Sequence, residues 1–117
     1  MSDSLRDSMS LLRGTLDALI LKALSTGELH GYGIVDWIRR VTDEVLQIED
    51  GALYTSLHRM EDRGWLRSEW GVSERGRRAK FYALTREGRR RLESEERDWH
   101  RYAEAVGKVF EARRESP

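Results

Sequence analysis

Between Leu11 and Leu24 the apolar positions include Leu11, Leu12, Leu16, Leu19, Ile20, Ala23 and Leu24. Steps of three and four put them on one helical stripe, and Gly27 suits a helix stop. A second stripe, Ile34, Trp37, Ile38 and Val41, predicts a helix from about Gly31 to Thr42, capped by His30 or the loop before it. Leu46-Gln47-Ile48 alternates and predicts one short extended piece. Asp50 reads as an N-cap, because its carboxylate can accept from the free amides of the next turn. A third helix follows to about Arg63, with Leu53, Leu57 and Met60 inward and Gly64 closing it.

The period then changes from helical to alternating. Leu66, Ser68 and Trp70 alternate with Arg67, Glu69 and Gly71. Beyond Ser73-Glu74-Arg75-Gly76, Tyr82 and Leu84 alternate with Phe81 and Ala83. That is a two-stranded hairpin, too small to stand without helices to lean on. Thr85 caps a fourth helix reaching about Ala112, with Glu87 favourably placed in its first turn. The expected fold class is mainly α with a small β-hairpin. Residues 1–10 form a polar, frayed N-terminus, 11–85 one domain, and 86–117 a long C-terminal helix.

Composition narrows the class. The chain has 117 residues, 21 Lys+Arg, 21 Asp+Glu and no Cys. A 38% apolar fraction can build a core. With no Cys there is no disulfide, no thiolate nucleophile and no Cys-based zinc site. No run reaches membrane-span length, and Met1-Ser2-Asp3-Ser4 lacks the apolar core of a secretion signal, so a soluble cytoplasmic protein is expected. Net charge is zero, but its distribution is uneven. Arg75, Arg77, Arg78, Lys80, Arg86, Arg89, Arg90 and Arg91 face only Glu87 between Arg75 and Arg91. Such a local field attracts a polyanion even on a neutral chain; a plain solvated surface is the bland alternative.

Three helices, a hairpin and a helix describe a winged helix-turn-helix. One helix fits the major groove of a duplex, and its first turns approach base edges and phosphates. The third helix offers Tyr54, Thr55, Ser56, His58 and Arg59 outside its apolar stripe, while the wing offers Arg75, Arg77, Arg78 and Lys80 to phosphates or a narrow minor groove. His30 and Tyr32, at the start of the second helix, join the candidate DNA contacts. Tyr54 as a packed helix-edge aromatic, and Arg59 as a solvated cation, are the structural alternatives.

The sequence resembles the PadR family of bacterial transcriptional regulators. Leu29-His30-Gly31-Tyr32-Gly33-Ile34, Gly51-Ala52-Leu53-Tyr54, Leu57-His58-Arg59-Met60-Glu61 and Arg63-Gly64-Trp65-Leu66 carry the likeness. Ser73-Glu74, Arg77-Arg78-Ala79-Lys80-Phe81-Tyr82, Leu84-Thr85 and Gly88 complete it, from about Leu11 to Leu92. The family usually has Pro after the Tyr of the third helix; here Thr55 gives up some rigidity and adds a hydroxyl. The resemblance implies a dimer formed by the last helix with the N-terminal one, in a short-tailed member. It also implies an effector: some relatives stack planar drugs on a Trp placed like Trp99.

The fourth helix has its own apolar side: Leu92, Trp99, Tyr102, Ala103, Val106, Val109 and Phe110. Such a seam needs a partner surface, either the first helix of the same chain or a symmetry mate. Leu12, Leu16, Leu92, Trp99, Tyr102, Val106 and Phe110 are therefore the expected homodimer interface. Trp99 is the expected contact for a small aromatic effector, with simple interface packing as the alternative.

The expected function is a dimeric, sequence-specific DNA-binding regulator. It represses by occupying an inverted repeat in double-stranded DNA and is released by a small molecule. The rival is a winged-helix module that binds protein. An enzyme is disfavoured, since His30, His58 and His100 lie on different elements and no phosphate or dinucleotide glycine loop occurs. No catalytic residue, metal or cofactor is expected.

Overall fold

The computed structural model describes residues 15–114. The expectations for residues 1–10 and for Leu12 lie outside these. Residues 15–23 form helix α1, which tightens into a 3-10 turn at Leu24–Thr26 and stops at Gly27. A two-residue strand β1 (Leu29–His30), α2 (Gly31–Val41) and α3 (Asp50–Asp62) follow. The hairpin is β2 (Leu66–Val72) with β3 (Arg78–Leu84), and α4 runs from Arg86 to Glu111.

Local chemistry explains most boundaries. The His30 imidazole Nδ1 accepts from the Gly33 amide at 3.0 Å, and the Thr85 hydroxyl accepts from the Gly88 amide at 3.0 Å. Each satisfies an amide that a helix start leaves free. Gly64 closes α3 at φ +81° and Gly76 turns the hairpin at φ +74°, where a Cβ would be strained.

Two elements differ from expectation. Asp50 is not the N-cap of α3: Glu49 holds that position without a side-chain hydrogen bond, and Asp50 is the first helical residue, where its charge still suits the helix dipole. Leu46-Gln47-Ile48 is not a strand but part of the α2–α3 loop, with Leu46 and Ile48 leaning on the core. Thr42 organises that loop by donating to Ile38 O and accepting from the Leu46 amide. The third strand is instead Leu29–His30, antiparallel to β3 in the order β1-β3-β2. It is too short for an alternating pattern to reveal.

The core joins Ile20, Leu21 and Leu24 of α1 and its turn to Ile34 and Ile38 of α2. Leu53, Leu57 and Met60 of α3 and Leu66, Tyr82 and Leu84 of the hairpin complete it. Two expected interface residues belong to this core: Leu16 and Leu92 are each only 8% exposed within one chain. Both pack into the same buried cluster as the helices and the hairpin, so intrachain packing claims them. The base of α4 is fixed there too. The Thr85 hydroxyl donates to Gly64 O at 2.6 Å, its amide donates to Trp65 O at 3.1 Å, and Arg63 and Arg91 both stack on the Trp65 ring. Farther along α4, Lys22 of α1 meets Glu96 at 3.4 Å. Beyond that contact most of α4 is exposed, and the molecule is 65 Å along its longest axis.

Candidate nucleic-acid interface

The hairpin register sets the geometry of this surface. Leu66 faces Leu84, Ser68 faces Tyr82, Trp70 faces Lys80 and Val72 faces Arg78. Directly opposed residues share a face of the sheet, so these pairs form four successive rungs on one side. The first rungs are core: Leu66, Tyr82 and Leu84 are buried. The hairpin outruns the helices, so the same face emerges into solvent at Trp70 and Val72. There it forms one wall of a groove of about 460 Å³ whose other wall is α3 with the start of α2. Tyr32, Tyr54, His58, Trp70, Arg78 and Lys80 line it.

Glu61 of α3 ties the two walls together. Its carboxylate accepts from the Ser68 hydroxyl at 2.6 Å and lies 3.9 Å from Lys80 Nζ. Burial pushes the Tyr82 phenol above its usual range, with Glu61 and Tyr54 adding to the effect. At the groove head the Tyr54 hydroxyl rests on Gly31, where an added Cβ would come within 2.7 Å of it. Tyr54 is thus both packed and, at 43% exposure, presented outward.

The remaining candidates divide. Tyr32 and Thr55 are exposed beside Tyr54. Arg75 and Arg77 are exposed at the wing tip and make no ion pair among the described residues, while Arg78 lies 4.5 Å over the Trp70 ring. Ser56 is not on the outer face: it is buried with Leu53, Leu57 and Met60, on the same stripe at steps of three and four. Arg59 is not a free cation either. Its guanidinium makes a two-pronged contact with the Asp17 carboxylate of α1, at 2.6 and 2.7 Å, which raises its pKa. His30 borders the groove but is engaged inside the fold, capping α2 and meeting the edge of Phe81. Its Nε2 lies 3.7 Å from the Glu74 carboxylate at the wing turn.

At the far end of α4, Trp99, Tyr102, Val109 and Phe110 are exposed, with Val106 between them half-buried. The Trp99 and Tyr102 rings lie 6.1 Å apart. Among the described residues no group of three His, Asp or Glu side chains could hold a metal ion, and no helix is long and apolar enough to cross a membrane.

The family model described as "Transcriptional regulator PadR-like family" matches residues 20–94, from α1 through the groove to the base of α4. The chain belongs to this family. A PadR family transcriptional regulator from Eggerthella lenta is 36% identical, superimposes with a TM-score of 0.73, and the match covers 96% of this chain and 97% of that one. A transcriptional regulator from Clostridium thermocellum is 30% identical with a TM-score of 0.77, covering 85% of this chain and 96% of that one. A protein of Lysinibacillus sphaericus described only as uncharacterized protein X is 27% identical over 101 residues, 86% of this chain and 93% of its own length. The PadR-like chain is a DNA-binding transcriptional regulator and not an enzyme. Its winged-helix architecture, mainly helical with a small antiparallel sheet, agrees with these neighbours.

Trp70 and Glu61 escaped the sequence-based site assignment. The alternation of β2 grouped Trp70 with Leu66 and Ser68 on one face. The missing signal was length: the hairpin runs past the helices, so its inward face becomes a groove wall.

Proposed function

We propose that the protein represses transcription as a homodimer bound to an inverted repeat. The observation that carries this reading is the groove, in which the exposed end of α3 and a cationic wing share one open face. Tyr54 and Thr55, with Tyr32 beside them, read the major groove, whereas Arg75, Arg77, Arg78 and Lys80 hold the adjoining backbone. Ser56, Arg59 and His30 act from behind, fixing the helices that carry these contacts.

The exposed aromatic stripe of α4 supports the dimer. A solvated helix gains nothing by exposing Trp99, Tyr102, Val109 and Phe110 on one side unless another surface covers them. Two copies joined there carry two α3 helices, which fit half-sites about 34 Å apart or a multiple of it. Linkage makes the second contact effectively intramolecular and so converts two weak contacts into tight binding. Occupied promoter DNA excludes polymerase. A flat aromatic effector stacking on Trp99 at the same seam would change the spacing of the two helices and release the operator.

Fluorescence anisotropy against the duplex upstream of the protein's own gene tests the proposal. Binding should exceed that to random duplex, weaken when one half-site is scrambled, and fall steeply with salt as counterion release requires. Replacing Arg77 and Arg78 with Glu should abolish it. Equal affinity for the upstream region and random duplex overturns the specific-regulator reading. Intact DNA affinity in the Glu variant favours the protein-binding module.

A further inference from the structure

The Trp70 indole stands outside the hydrophobic core. It sits on the third rung of the hairpin, past the buried rungs, and remains 59% exposed. Its ring lines the groove opposite Tyr54 and His58. Arg78 from the neighbouring strand is stacked 4.5 Å over the ring, which holds the cation on the groove side of the wing and fixes the indole beneath it. Outward from Trp70 comes exposed Val72 on the same face. The wing thus carries a cationic tip with an apolar strip set beside it. A pure phosphate clamp needs only the cations. An apolar strip among cations matches the duplex differently, because a deoxyribose ring adjoins each phosphate and a thymine presents its methyl group on the major-groove edge.

We propose that Trp70 is a DNA-contacting and specificity-determining residue. Its indole lies against the sugar and base edges beside the α3 site, and Arg78 delivers its charge to the neighbouring phosphate from the same stacked pair. The inference rests on the DNA-binding reading above and deepens it, assigning the wing a role in sequence preference as well as in charge. Its partner is a duplex, because the cations flanking the strip, Arg75, Arg77 and Arg78, complement a phosphate backbone, and Trp70 lines the same groove as Tyr54 of α3.

The two kinds of contact have different salt signatures, which makes the test sharp. Anisotropy titrations use the full-length protein, an operator duplex identified from its upstream region, and a salt series. Trp70→Ala should weaken operator binding about tenfold, as for loss of an aromatic contact, with the slope of log affinity against log salt unchanged. Trp70→Phe should restore most of the loss. Arg77→Ala should instead lower the slope by about 0.9 for each phosphate contact removed. Substituting thymines one at a time in the sequence flanking the α3 site should cost wild type affinity at one position and cost Trp70→Ala nothing there. Melting curves of each variant verify folding. Wild-type affinity in Trp70→Ala overturns the proposal, including when that variant melts at a lower temperature, since the indole then serves only the hairpin. A reduced salt slope in Trp70→Ala with the wild-type thymine sensitivity retained also overturns it, because the ring then does no more than hold Arg78. If the wild-type protein binds no duplex at all, the underlying DNA-binding reading falls, an outcome distinct from either of these.

Discussion

Gly88→Ala tests whether the base of α4 is held as tightly as the structure indicates. Helix propensity alone says the substitution stabilises, since Ala is favoured over Gly by about 1 kcal/mol in a helix. The tertiary contact says the reverse. A Cβ built at Gly88 would lie 2.0 Å from the backbone oxygen of Trp65 and 3.0 Å from its carbon. No side-chain rotation relieves that, because the opposing atoms are main chain. The start of α4 must move by about 1 Å, at a cost of roughly 1–3 kcal/mol for overpacking. That movement also strains the two bonds from Thr85, to Gly64 O at 2.6 Å and to Trp65 O at 3.1 Å, each worth about 1 kcal/mol. The net loss is about 2–3 kcal/mol, or roughly 10 °C in Tm for a chain of this size. Circular-dichroism melts at fixed protein concentration measure it, since any self-association makes Tm concentration-dependent. Gly51→Ala is the control: nothing lies within 4 Å of its Cβ, and it should gain a few tenths to about 1 kcal/mol. An unchanged or raised Tm for Gly88→Ala refutes the close contact of α4 with the α3–β2 connection.

Two other expectations concern groups behind the groove. Asp17→Asn leaves Arg59 without its carboxylate and should cost about 1 kcal/mol by chemical denaturation, a partly exposed pair being screened by solvent; no loss would mean the pair does not hold α1 to α3. Tyr82 is buried with its phenol pKa raised above the usual value near 10. The fold therefore favours the protonated phenol, a contribution fully present below pH about 10 and lost as pH rises through the folded-state pKa. Urea titrations between pH 8 and 11 should show stability falling above about pH 10, and Tyr82→Phe should flatten that fall. An equal fall in both proteins would assign it to other groups.

The sequence reading succeeded where the cause was local. Stripes at steps of three and four gave α1 to α4, Gly64 gave the stop of α3, Gly76 marked the hairpin turn, and Thr85 gave the start of α4. It failed where a partner came from far along the chain. Ser56 looked polar and outward, yet its position between Leu53 and Met60 on the α3 stripe already marked it as buried. Arg59 looked free because Asp17, which binds it, lies 42 positions away. Leu16 and Leu92 looked like interface residues because apolar stripes do not say which surface will cover them.

The sequence by itself determined the succession of helices and hairpin, the cationic wing and the family. These depend on periodicity, turn chemistry and charge, each readable within a few neighbours. Only the tertiary structure decided that β1 completes the sheet, that Asp17 engages Arg59, and that Trp70 stands at the mouth of a groove. Each depends on the distance between groups remote in the chain, and on where the hairpin outreaches the helices that cover its base.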